Sequence, residues 1–147
     1  MLMTTTYRSP RRRAREFVVQ GLYQHFVGDQ DEAAIQVQVA DVGGFDKADR
    51  ALYDRLLGES LDHRDALAAQ LSPYIDRPWG EVSPVERSIL LMAACELVRH
   101  ADTPYRVIIN EAIELAKVYG GVDGHKFVNG VLDKLAAQVR PGEFGTR

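Results

Sequence analysis

The stretch from Ser83 to Arg99 constrains the fold more than any other part of the chain. It opens Ser83-Pro84-Val85-Glu86 and continues through Ile89-Leu90-Leu91-Met92-Ala93-Ala94-Cys95 to Leu97 and Val98. Serine can cap a helix, and proline fits the first helical position because its missing N–H has no partner there. A glutamate three residues past the cap can reach back to close a capping box. The apolar run alone would also suit a buried strand, but the cap and the length favour a helix. Such a helix is apolar nearly all round, and only neighbours on every side can bury it. The pattern predicts a central pillar with other elements packed around it.

The remaining periodic segments also have helical spacing. One spans 10–27, with Ala14, Phe17, Val18, Gly21, Leu22 and His25 on its stripe. A short one covers 32–42. A longer stretch starts near Asp46 or Asp49 and carries Leu52, Leu56, Leu67 and Leu71, with Gly58 as a candidate break. Ser72-Pro73 and Asp76-Arg77-Pro78-Trp79-Gly80 mark a connection. Pro104 opens a helix ended by Gly120-Gly121, and the last begins near Asp123 or Gly124 and is closed by Pro141 and Gly142. No strand alternation or hairpin dipeptide interrupts this order. At 147 residues the chain suits one domain. The expected organisation is a mobile basic arm over 1–9, one all-α domain over 10–141 and a mobile tail over 142–147.

Charge is distributed unevenly. Arg8, Arg11, Arg12, Arg13 and Arg15 crowd the start of the first helix, on a chain with a formal net charge of −3. A helix N-terminus is already positive and prefers acidic side chains, so cations there are an electrostatic misfit. A docked phosphate polyanion would offset it.

Catalytic patterns are weak. Glu111 and Glu114 lie three apart on a helix, with no matching pair or histidine motif, and read as a solvated face. Glu96 on the apolar pillar needs a cationic partner, for which Arg99 or Arg87 is the simplest choice. His25, His63, His100 and His125 lack ligand spacing. Cys95 is the only cysteine, which excludes a disulfide framework and a cysteine-based metal site and reads as a core residue. The glycines at 120, 121 and 124 follow a helix, not a strand, so they are no phosphate loop. A non-enzyme without metal or cofactor is expected.

The polar surface of the last two helices suits another chemistry. Lys117, His125, Lys126 and Asn129 supply donors for phosphate and base edges, and Tyr119 and Phe127 supply planar faces. Cations interleaved with aromatics are what single-stranded RNA binding uses. Tyr119 also fits the core stripe, Phe127 falls at the margin of its own, and Lys117 has Glu114 as an alternative partner.

Three segments together resemble the bacterial transcription antitermination factors of the NusB family. They are Arg11-Arg12-Arg13-Ala14-Arg15-Glu16 with Gln20-Gly21-Leu22-Tyr23, Val85-Glu86-Arg87-Ser88-Ile89-Leu90-Leu91, and Pro104 through Lys117 followed by His125-Lys126-Phe127-Val128-Asn129-Gly130-Val131-Leu132-Asp133-Lys134. The resemblance runs in order over 10–141. It implies about seven helices in two packed bundles and no enzymatic activity. It further implies binding of the boxA element of nascent ribosomal RNA, jointly with NusE, the tenth small-subunit ribosomal protein. With other Nus factors, the complex would make elongating RNA polymerase resist termination.

By the same resemblance, the RNA surface comprises Arg11, Arg12, Arg13, Arg15, Lys117, Tyr119, Asp123, His125, Lys126, Phe127 and Asn129. Tyr23, Glu81 and Glu86 are the NusE candidates, with the capping box as the competing role for Glu86. Asp123 either caps the last helix or accepts from a base amino group. Family members occur as monomers and homodimers. The linker at 76–80 departs from the family pattern. A ribosomal RNA cytosine methyltransferase carries a similar N-terminal domain, but it needs a following cofactor-binding domain, which a chain ending at Arg147 is expected to lack. No segment reaches the roughly 20 apolar residues of a membrane span, and cytoplasmic location is expected.

Overall fold

A computed structural model describes residues 8–144 of the chain. The expected arm and tail therefore fall, at 1–7 and 145–147, outside the described residues. Among the described residues eight α-helices follow one another: α1 (Pro10–Gly28), α2 (Glu32–Val39), α3 (Arg50–Asp62), α4 (Arg64–Leu71), α5 (Pro84–Arg99), α6 (Tyr105–Tyr119), α7 (Gly124–Val139) and the single turn α8 (Pro141–Phe144). Short 3₁₀ turns at Phe45–Lys47, Ser72–Tyr74 and Trp79–Glu81 join them, and no strand occurs among the described residues. The fold is all-α, as the periodicity predicts.

The segment that opened the sequence argument is the pillar. Ser83 Oγ accepts from the Glu86 N–H at 3.2 Å, Pro84 occupies the first turn, and every residue from Ser88 to Leu97 is buried. Helix α5 packs against α1, α3, α4, α6 and α7. One bundle is formed by α1, α2 and α3, the other by α4, α6 and α7, and both close on α5. Each fully buried Leu or Ile there contributes about 1.5–3 kcal/mol relative to exposure.

The C-terminus of α5 is buried and satisfied by one residue. Arg140 donates to the carbonyls of Glu96, Leu97, His100 and Thr103 at 2.9–3.3 Å. Leu97 O is one of the orphan acceptors that the end of α5 leaves, Glu96 O also accepts from the His100 N–H, and His100 and Thr103 belong to the turn that follows the helix. Arg140 also pairs with Glu143 at 2.6 Å, and Glu143 Oε2 accepts from the Tyr105 N–H at 2.8 Å. Pro141 therefore starts a tethered turn. At the other end, Arg8 and Ser9 are tied down too: Arg8 Nη1 donates to both oxygens of Glu16, and Ser9 Oγ accepts from the Arg12 N–H.

Gly58 does not break the long stretch. Helix α3 passes through it, and the break falls at His63, which ends α3 and starts α4. Gly58 is small because α2 approaches there: a Cβ would meet Glu32 Oε2 at 3.3 Å. The stop after α1 likewise lies one residue beyond Gly28, where Asp29 adopts the left-handed conformation (φ 54°) and its N–H bonds to the His25 carbonyl.

Candidate nucleic-acid interface

The arginine cluster divides into distinct roles. Arg15 is buried and gives a bidentate pair to Glu96, with both bonds at 2.8 Å. Burial works to lower the Arg15 pKa, but the bonds to Glu96 outweigh it and hold it above the ordinary value. This corrects two expectations. Arg15 does not belong to an RNA surface, and the partner of Glu96 is neither Arg99 nor Arg87. Arg15 points inward because residue 15 shares a face with the core residues Ala14, Val18 and Leu22.

Arg12 reaches α6, where Nε and Nη2 grip the Glu111 carboxylate at 3.0 and 2.7 Å. Those bonds raise its pKa. Glu111 is thus a structural partner, not a solvated one, while Glu114 does face solvent and pairs with Lys117 at 3.5 Å. Arg11 is exposed, and Arg13 is half-buried with its guanidinium near Gly44. Neither makes an ion pair among the described residues. The misfit at the helix end is thus partly relieved from within, by Glu16, Glu96 and Glu111.

The Arg12–Glu111 clamp has a counterpart two turns on. Tyr119 hydrogen-bonds Gln20, and burial raises the phenol's pKa. Residues 12 and 20 of α1 are thus joined through their side chains to 111 and 119 of α6, and the matching order shows that the two helices run in the same direction. The two ties stand about 12 Å apart along the axis. Exposed arginines occupy one end of this strip and Tyr119 the other.

Beyond Tyr119 the loop enters α7. Asp123 sits at the cap position without a side-chain cap bond, its carboxylate 3.6 Å from Lys126 Nζ, and both groups are solvent-exposed. His125 and Asn129 are half-buried. Phe127 packs at the core's edge with the Arg77 guanidinium 4.6 Å above its ring. A base can stack on that guanidinium, or on the ring once Arg77 moves. Arg77 and Gln20 are the members that sequence reasoning missed. Neither carries a local signal, because their partners lie 50 and 99 residues away.

The partner candidates lie toward the other end of α1. Tyr23 is 40% exposed and lines a groove of about 370 Å³ with Val19, Gln20, Gln24, Val85 and Tyr119. Glu81 is exposed on the Trp79–Glu81 turn, which α1 seats through the Phe26–Trp79 edge contact at 6.3 Å. Arg87 covers the Phe26 ring at 4.5 Å. The Glu86 carboxylate turns toward the start of α7, where a Cβ on Gly124 would meet Oε2 at 2.8 Å. Only half of the capping box forms: Ser83 bonds back to Glu86, while the Glu86 side chain lies at α7.

Away from this strip, the ligand atoms of Glu59, Cys95 and His100 converge to within 4.8 Å of one another.

Fold and strip together define a class: an all-α binding protein whose exposed cations and flanking aromatics suit a polyanion with planar bases. Comparison with known proteins narrows it. The sequence model of the NusB family matches residues 12–137. The transcription antitermination protein NusB of Dechloromonas aromatica (strain RCB) is 55% identical over 140 residues, covering 95% of this chain and 86% of that protein. NusB of Ralstonia nicotianae is 52% identical over 95% of this chain and 90% of that protein. Among solved structures, T. maritima NusB superposes with a TM-score of 0.81 at 32% identity, covering 96% of this chain and all of that one. The fold is also shared, at TM-score 0.77 and 19% identity, with a crystal structure of antitermination factors NusB and NusE in complex with dsRNA, over 88% of this chain and 97% of that chain. This chain belongs to the NusB family.

Proposed function

We propose that this chain is a transcription antitermination factor that binds single-stranded boxA RNA of ribosomal leaders together with NusE and acts, with other Nus factors, on elongating RNA polymerase. The role is one of binding without catalysis, carried out in the cytoplasm. The observation that carries the reading is the double lashing of α1 to α6, which makes the arginine end and Tyr119 one continuous strip. Family membership supports the same reading.

Within it, Arg11, Arg12 and Arg13 supply phosphate contacts that position the RNA, together with Lys117 and Lys126. Sequence is read by Tyr119, Asp123, His125 and Asn129, and by Phe127 together with Arg77. Tyr23, Glu81 and Glu86 face NusE. Arg15 acts only through the fold.

The deciding experiment measures boxA and scrambled RNA binding by fluorescence anisotropy, with NusE present, over a salt series. BoxA is expected to bind more tightly, with affinity falling steeply as salt rises. Equal affinity for both RNAs would overturn the boxA reading.

A further inference from the structure

One cluster lies outside the RNA strip, where helices α3 and α5 meet. Glu59 Oε1 is 2.8 Å from His100 Nε2 and 3.9 Å from Cys95 Sγ. Cys95 is fully buried, His100 nearly so, and Glu59 is 23% exposed at the mouth. The fully buried Ser60 hydroxyl stands beside the thiol and has no hydrogen-bond partner of standard geometry. We propose that Glu59, Cys95 and His100 form a binding site for a borderline-soft divalent cation, of which Zn²⁺ is the type.

The donor set is one thiolate, one imidazole and one carboxylate, each a normal zinc ligand, and one water would complete a tetrahedron. Tetrahedral zinc with bonds of about 2.0–2.3 Å sets its ligand atoms roughly 3.3–3.6 Å apart. The Glu59–His100 separation is shorter than this and the Glu59–Cys95 separation longer. The Cys95 and His100 ligand atoms lie within 4.8 Å of each other, and torsions of the partly exposed Glu59 side chain can bring its two distances into range.

The charges balance as well. A thiolate and a carboxylate neutralise the dication. Glu59 Oε2 bonds to Arg55 at 3.2 Å, so Oε1 can take the metal while Arg55 orients the carboxylate. Arg99 lies 3.7 Å from Oε1, beyond hydrogen-bond distance, and is 39% exposed, so it can swing away. Binding replaces the Glu59–His100 hydrogen bond: the proton that Nε2 donates to Glu59 moves through solvent to Nδ1, which frees the Nε2 lone pair, and the Cys95 thiol proton leaves to solvent. Burial pushes that thiol up to about 12 without metal, so the cysteine is a protonated core residue until a cation arrives. This reverses the expectation that a lone cysteine excludes a cysteine-based metal site: the partners here are an imidazole and a carboxylate, and Glu59 comes from a helix 36 residues before the cysteine.

The test titrates the reduced full chain with Co²⁺ in a thiol-free buffer. The expected result is a thiolate-to-cobalt charge-transfer band that saturates at about one equivalent and disappears on adding Zn²⁺. Cys95→Ser should lose the band while keeping its helical circular dichroism and its RNA affinity. Glu59→Gln, at a partly exposed position, covers the case in which the serine variant fails to fold. It should weaken Co²⁺ binding by more than about 10-fold, the loss seen even for outer-shell partners. No band after several equivalents, or an equal rise in melting temperature with Zn²⁺ in wild type and Cys95→Ser, would overturn the site.

Discussion

Neighbouring arginines in this chain do unrelated work, and the difference is one of solvation. Arg15 and Glu96 are both withdrawn from water, so removing one leaves the other charged and unpaired. Arg15→Ala is expected to cost about 3–5 kcal/mol in urea denaturation. Replacing both together, Arg15→Met with Glu96→Leu, should recover most of that loss, because an apolar pair of similar volume avoids the desolvation cost altogether. Arg11 is the contrast. It is exposed and unpaired among the described residues, so Arg11→Ala should change stability by less than about 0.5 kcal/mol. It should instead reduce the salt slope of RNA binding by about 0.7, the contribution of one phosphate contact on a single strand. If Arg11→Ala unfolds the protein or leaves the slope unchanged, the division of roles is wrong.

Helix contacts reveal what the chain alone could and could not say. The pillar α5 was legible because its cap and its unbroken apolar run are local, as were the glycine and proline stops around α6 and α7. Gly58 misled, since a small residue inside a helix reads as a break when its reason is the approach of α2 from across the bundle. The exposed members of the strip were recognisable by residue type. Their support was not: Arg12–Glu111 and Arg15–Glu96 join residues 99 and 81 apart, and although residue 15 shares the face of Ala14, Val18 and Leu22, nothing local names the carboxylate that lets an arginine stand there.

Close approach makes a test of its own at Gly21, where a Cβ would meet Ile35 Cγ2 at 2.8 Å and Leu57 Cδ1 at 3.3 Å. Gly21→Ala should therefore lower stability, since overpacking costs about 1–3 kcal/mol against a helix-propensity gain of at most about 1. Gly130→Ala, with nothing within 4 Å, should stabilise α7 by up to about 1 kcal/mol. Thermal melts of the two variants moving in the same direction would refute this reading of the α1–α2 contact.

The C-terminal turn adds a pH dependence. The Tyr105 N–H, then Arg140, hold the Glu143 carboxyl below its ordinary value of 4.5. A group depressed in the folded state stabilises it above the unfolded pKa and stops doing so as pH falls through the lowered folded value. Protection of the Tyr105 amide should therefore fade only below about pH 4, and Glu143→Gln should flatten that acid limb. An acid limb equally steep in both proteins would show that Glu143 is not the tether.

At the scale of the whole molecule, α1 is a rod that serves two surfaces. Its arginine end belongs to the proposed RNA strip, and Tyr23 belongs to the surface proposed for NusE. Arg11 and Tyr23 are separated by about 18 Å along the helix axis, and they share no partner among the described contacts. Helices carry coupling when they have two arrangements to choose between, and the bonds Arg12–Glu111 and Gln20–Tyr119 tie α1 to α6. Residues so far apart with no common contact usually act additively, within about 0.3–0.5 kcal/mol. A double-mutant cycle of Arg11→Ala and Tyr23→Ala, read as the affinity of the ternary assembly with boxA RNA and NusE, should therefore give nearly the sum of the single losses. A coupling above about 1 kcal/mol would mean that the two ligands touch each other on this surface or that α1 shifts when one binds. Repeating the cycle with each ligand alone separates these cases, since a shift of α1 persists in Tyr23→Ala with RNA only, whereas a direct contact between the ligands does not.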